Sequence, residues 1–87
     1  MEIRNLVTFA RIAEVQNFSK TAEQLGYSQS AVTMQIKQLE GELGAQLFER
    51  IGKQVKLTQA GERLLPYALE ILAAVRQAEN IVREPGA

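Results

Sequence analysis

Small polar side chains crowd one short stretch, Ser28-Gln29-Ser30-Ala31-Val32-Thr33-Met34, and Lys37 follows about one turn later. On a helix, Ser30, Met34, Lys37 and Gln38 would share one face, with Thr33 on its flank and Gln29 in the first turn. Without a His or other base to activate them, hydroxyls and amides at a helix start are hydrogen-bonding groups, not reactive ones. They hydrogen-bond to anionic oxygens and to flat donor and acceptor edges, which is what phosphates and bases offer. A second group points the same way: Arg50, Lys53 and Lys56 fall between Arg50 and Thr58 with no acid among them. Reactive groups, by contrast, are scarce. The chain has no Cys, no His and no Asp. Disulfides, thiolate or imidazole metal sites, and Cys–His or Ser–His catalysis are thereby excluded. Every side-chain carboxylate is a Glu, and no convergent acid/base pair is visible, so neither enzymatic activity nor a cofactor or metal is expected.

The elements that must position these residues are short. Leu6, Phe9, Ala10 and Ala13 lie at i, i+3, i+4 and i+7, one face of a first helix that Asn17-Phe18-Ser19 interrupts. Ser19 reads as the N-cap of a second, brief helix ending at Gly26, with Ala22 and Leu25 as its apolar positions. After one residue, Ser28 reads as the cap of a third helix. Tyr27 and Val32 flank that cap at the spacing of a hydrophobic staple. Val32, Ile36, Leu39 and Leu43 form the inner stripe of this helix, and Gly44 stops it.

Beyond Gly44 the pattern changes to Gln46–Ile51 and Gln54–Thr58 around Gly52-Lys53, which predicts a two-stranded hairpin. The expected core is Leu6, Phe9, Ala13, Ala22, Leu25, Val32, Ile36, Leu39, Leu43, Leu47 and Leu57. Thr58 should cap a last helix over residues 59–84, about 39 Å long at ~1.5 Å per residue. Pro66 falls inside that helix, where it removes a backbone bond and should bend it. Residues 85–87 make a tail. Leu64, Ala68, Ile71, Val75, Ala78 and Val82 recur in steps of four and three, the seam of a coiled coil. The seam reads as a homodimer contact; packing on the first helix of the same chain is the alternative.

The fold expected is mainly α: a three-helix body with a two-stranded wing, a winged helix-turn-helix over residues 1–58, followed by a long linker helix. Its second paired helix would present its N-terminal turns to a major groove, and the wing would lie on flanking backbone. At 87 residues, with 46% apolar and 23% charged residues, the chain has room for one small core. Ten cations balance ten acids, so any basic surface must be local. Without a long apolar run there is no expected membrane span, and the cytoplasm is the default location.

At this point a resemblance is specific. Asn17-Phe18-Ser19, Ala22, Leu25-Gly26-Tyr27-Ser28-Gln29-Ser30-Ala31-Val32-Thr33, Gln35-Ile36-Lys37, Leu39-Glu40, Leu43-Gly44, Leu47-Phe48-Glu49-Arg50 and Leu57-Thr58-Gln59-Ala60-Gly61 appear in order. The set resembles the N-terminal DNA-binding domain of LysR-type transcriptional regulators, over nearly the whole chain. The resemblance implies sequence-specific binding of double-stranded DNA, with the third helix as recognition helix and residues 50–56 as wing. It implies a homodimer whose linker helices pair antiparallel. A small-molecule inducer would act only through a larger domain that these residues lack, so the chain reads as a fragment of such a regulator.

Carried over by position, Gln29, Ser30, Thr33, Met34 and Lys37 are DNA-binding candidates; Ser28 joins them because its hydroxyl caps while its N–H faces a phosphate, and Arg50, Lys53 and Lys56 join them as the acid-free basic cluster of the wing. Gln29 is the first of them for base reading, because its amide matches the N6 and N7 pair of adenine. Two positions depart from the family pattern. Met34 stands where long polar side chains are frequent and could pack on a thymine methyl, and Ile51 stands where small polar residues are usual. For Arg50 the plainer reading is an ion pair with Glu49 or Glu62. For the whole chain the rival is a winged-helix module that binds another protein, a reading that zero net charge favours.

Overall fold

Residues 1–86 are described by a computed structural model; Ala87, the end of the expected tail, lies outside the described residues. The elements run α1 (Ile3–Val15), α2 (Phe18–Leu25), α3 (Gln29–Leu43), β1 (Phe48–Ile51), β2 (Gln54–Leu57) and α4 (Gln59–Arg83). The winged helix-turn-helix with a long last helix is thus the observed architecture.

Local chemistry sets most of these boundaries. Ser28 Oγ accepts the Ala31 N–H at 3.1 Å, and Gly44, with φ of 69°, ends α3 in the left-handed region. Thr58 Oγ1 accepts from Gly61 N at 3.1 Å and donates to the Gln46 carbonyl at 2.6 Å, so one hydroxyl caps α4 and ties it to the start of the wing. The cap of α2 corrects the sequence reading. Asn17 takes the place expected of Ser19, its Oδ1 accepting from Lys20 N at 2.8 Å. Ser19 becomes the second residue of α2, and its hydroxyl is free for another partner. Asn and Ser are almost equally good caps, and here the earlier one wins.

The strands pair antiparallel with Phe48 opposite Leu57 and Ile51 opposite Gln54, leaving Gly52-Lys53 as a two-residue turn. Gly52 has φ of 63°, which suits glycine at a tight hairpin.

Leu6, Phe9 and Ile12 of α1 meet Ala22 of α2 and Val32, Ile36 and Leu39 of α3. Leu47, Val55 and Ala68 close this core from the wing side and from α4. Phe48 links the parts, its ring centroid 5.4 Å from that of Phe9 and 5.9 Å from that of Phe18. Three expectations shift. Leu43, in the last turn before Gly44, remains 40% exposed. Ala13, Leu25 and Leu57 are only half-buried. Ile12 and Val55, absent from the expected core, are buried within it.

The seam on α4 divides in two. Ala68 is fully buried inside the single chain, and Leu64 and Ile71 pack against the same core, as do Leu65 and Leu72. Ala68 is therefore corrected from dimer contact to core residue, and packing on α1, the alternative reading, holds for the first half of the seam. Val75 is half-buried, whereas Ala78 and Val82 are exposed. The helix runs without interruption through Pro66. It gives the molecule its elongated shape, 53 × 26 × 19 Å. Among the described residues, no helix is long and apolar enough to cross a membrane.

Candidate nucleic-acid interface

Burying Val32, Ile36 and Leu39 turns the opposite side of α3 outward. Ser28, Gln29, Ser30, Met34 and Lys37 are exposed on it, and Thr33 is half-buried at its edge. Met34 has 71% of its surface open, which is a large exposure for an apolar side chain in a chain this small. The first turn carries its own hydrogen bonds. Ser28 and Ser30 hydroxyls lie 3.1 Å apart, and the Ser19 hydroxyl donates to Gln29 Oε1 at 2.8 Å.

Buried polar groups hold this helix against the body. Asn5 and Thr8 of α1 are almost fully buried. Asn5 Nδ2 donates to Gln38 Oε1 at 3.3 Å, and Thr8 Oγ1 donates to Gln35 Oε1. A polar pair cannot slide along an interface as an apolar one can, because each donor left unpaired inside the protein costs about 1–3 kcal/mol. The two bonds tie α3 to α1 at positions three residues apart. The sequence reading missed Asn5 and Thr8, since apolar periodicity passes over polar core residues.

The wing cations are separated. Arg50 reaches toward α3: its guanidinium lies over the Phe18 ring, 5.6 Å from the centroid. With Phe18, Thr33, Ile36, Lys37 and Glu40 it lines a recess between α3 and β1. Among the described residues Arg50 makes no ion pair with Glu49 or Glu62; the only salt bridge joins the amino group of Met1 to Glu42 at 3.2 Å. Lys53 occupies the exposed tip of the hairpin. Lys56 faces Glu49 across the strands and, by the alternation of side chains, lies on the other side of the hairpin from Arg50. It shares a second recess with Glu49, Gln16 and Glu62. The structure thus gathers Gln29, Ser30, Thr33, Met34, Lys37 and Arg50 on one edge, sets Lys53 at the tip, and leaves Lys56 aside. Two residues join the site that the sequence reading did not assign to it: Ser19 beside Gln29, and Phe18 beneath Arg50. Among the described residues no cluster of acids could hold a metal ion.

Comparison with known proteins identifies the family. Residues 3–62 match the family model described as bacterial regulatory helix-turn-helix protein, lysR family. An uncharacterized HTH-type transcriptional regulator of Bacillus subtilis, YwqM, is 49% identical over 97% of this chain and 30% of its own length. The HTH-type transcriptional regulator CitR of the same organism is 51% identical over 83% of this chain and 25% of its own. Among solved structures, the BenM DBD/catB site 1 DNA complex superimposes with a TM-score of 0.90 at 38% identity, covering 95% of this chain and 93% of that one. The chain spans under a third of the length of the two regulators it matches. From the matched residues and the identity across almost all of its length, the chain belongs to the lysR family of bacterial helix-turn-helix regulatory proteins.

Proposed function

We propose that this chain binds double-stranded DNA with sequence preference, as the DNA-binding part of a bacterial transcriptional regulator acting in the cytoplasm. The observation that carries the proposal is the outward face of α3. There Gln29, Ser30, Met34 and Lys37 are exposed around a capped helix start, with Arg50 of the wing beside them. Backbone N–H groups of that first turn suit a phosphate, and the side chains beyond it suit base edges. Likeness to a domain crystallised with DNA supports the same reading. The wing would add phosphate contacts, which position the protein without specifying a sequence. Catalysis has no part in this reading.

A homodimer belongs to the proposal. The last turns of α4 run past the body with Ile81 59% and Val82 84% exposed. An apolar helix end of this kind is stabilised by a second copy of itself.

Selection of bound sequences from a random duplex pool tests the function. A recurring motif is expected, with affinity falling steeply as salt rises because bound phosphates release counterions. A module that binds protein through the same face would enrich no sequence and show no such slope.

A further inference from the structure

Gln29 does not stand alone at the start of α3. The Ser19 hydroxyl, on the first turn of α2, donates to its Oε1 at 2.8 Å. A glutamine amide has two donors at Nε2 and one carbonyl acceptor, and reading the N6 and N7 pair of adenine needs both ends turned to the base. Here the carbonyl is held toward α2, so the end left for a partner is the NH2 group. Asn17 caps α2, which places Ser19 inside the first turn of the helix with its hydroxyl on Gln29.

We propose that Ser19 is a positioning residue for base recognition: it fixes Gln29 as a donor, so that the amide selects base acceptors, guanine N7 and O6 or thymine O4, over the adenine pair. The inference rests on the DNA-binding reading of α3 and names the class of base edge that this face takes. Ser19 acts through Gln29 and need not touch DNA itself.

The test is selection from a random duplex pool with the wild type, Gln29→Ala, Ser19→Ala and Ser19→Thr. Gln29→Ala marks the base pair that Gln29 reads. At that pair the wild type should enrich G·C, with affinity lost on 7-deazaguanine, or A·T read at thymine O4, and Ser19→Ala should relax the preference by about tenfold, in the range of one good base contact. Preferences elsewhere in the motif should stay as they are, and Ser19→Thr, which keeps the hydroxyl, should restore the wild-type profile. If the pair is A·T, 7-deazaadenine placed there should leave affinity unchanged, since thymine O4 is then the atom read. A Ser19→Ala profile identical to the wild type overturns the proposal. So does an even loss at every position, which would make Ser19 a phosphate contact or a structural residue, and so does a tenfold loss with 7-deazaadenine. If the wild type enriches no sequence at all, the DNA-binding reading falls, and this inference falls with it.

Discussion

Gln29 is exposed, begins α3, and already has one hydrogen bond to the protein. Those three facts separate its contribution to binding from any contribution to folding. Gln29→Ala should cost specific-site affinity roughly tenfold to a hundredfold, the equivalent of about 1–3 kcal/mol for one base contact. Random-sequence affinity should be nearly unchanged. Thermal stability should hardly move, because an exposed side chain has little packing to lose. Titrating a selected and a scrambled duplex at the same salt decides it; equal losses on both would make Gln29 a backbone contact. At this scale the sequence was informative about which residues face outward and silent about their partners. Ser28 could be read as a cap because it follows Gly26 and precedes an apolar stripe. Ser19 was misplaced as a cap, since Asn17 two residues earlier competes for the same backbone donors. Arg50 likewise chose an aromatic face over the neighbouring carboxylates of Glu49 and Glu62, a choice that depends on where α2 lies.

Elements are held in place by a few close approaches. Gly61, in the first turn of α4, packs where a Cβ would collide with the Leu47 carbonyl and come 2.8 Å from Leu57 Cδ2. Its need for glycine is steric, not conformational. Gly61→Ala should force α4 away from the wing and cost about 1–3 kcal/mol, as overpacking does. For a domain this small that lowers Tm by at least about 4 °C in a thermal melt. An unchanged Tm would mean that α4 can shift freely. The wing invites a second measurement. Lys53 is at the tip of the hairpin, clear of the carboxylates that surround Lys56. Lys53→Ala should weaken binding to selected and random duplexes alike and flatten the salt dependence by about one phosphate contact, whereas Lys56→Ala should change the slope less. A larger effect from Lys56 would reverse the assignment of faces. Apart from the start of α2, the capped helix ends and the Gly52-Lys53 turn were legible because glycine and hydroxyl caps act locally. The inner faces were less so. Two four-residue strands are too short for alternation to declare itself, and Val55 turned inward unannounced. On α1, the inward line runs through Asn5 and Thr8, polar residues that no apolar pattern includes.

For the whole molecule the question is what the far end of α4 does. A four-three apolar repeat reports that a helix has a partner, not which one. Near the body the partner is the chain's own core, against which Leu64, Ala68 and Ile71 pack. Beyond it the repeat continues through Ala78 and Val82 with Ile81 alongside, all exposed, on a molecule whose longest dimension is twice its next. This division explains why one seam supported both the dimer and the intramolecular reading, and it determines where a test must be made. A charge at Ile71 would strike the body's own packing, so loss of a dimer there could be loss of the fold. Ala78→Glu combined with Val82→Glu places both charges past the body, on residues that the single chain leaves in water. Sedimentation equilibrium should then report a monomer for the double variant and a dimer for the wild type, with the same thermal melt for the body in each at low protein concentration. DNA binding should weaken most on sites with two half-sites, because each half would have to be bound separately, and least on a single half-site. A double variant that still sediments as a dimer would move the interface off the end of α4, and the exposed groove between α1 and α4, lined by Ile3, Val7, Leu69 and Ala73, would be the next surface to charge.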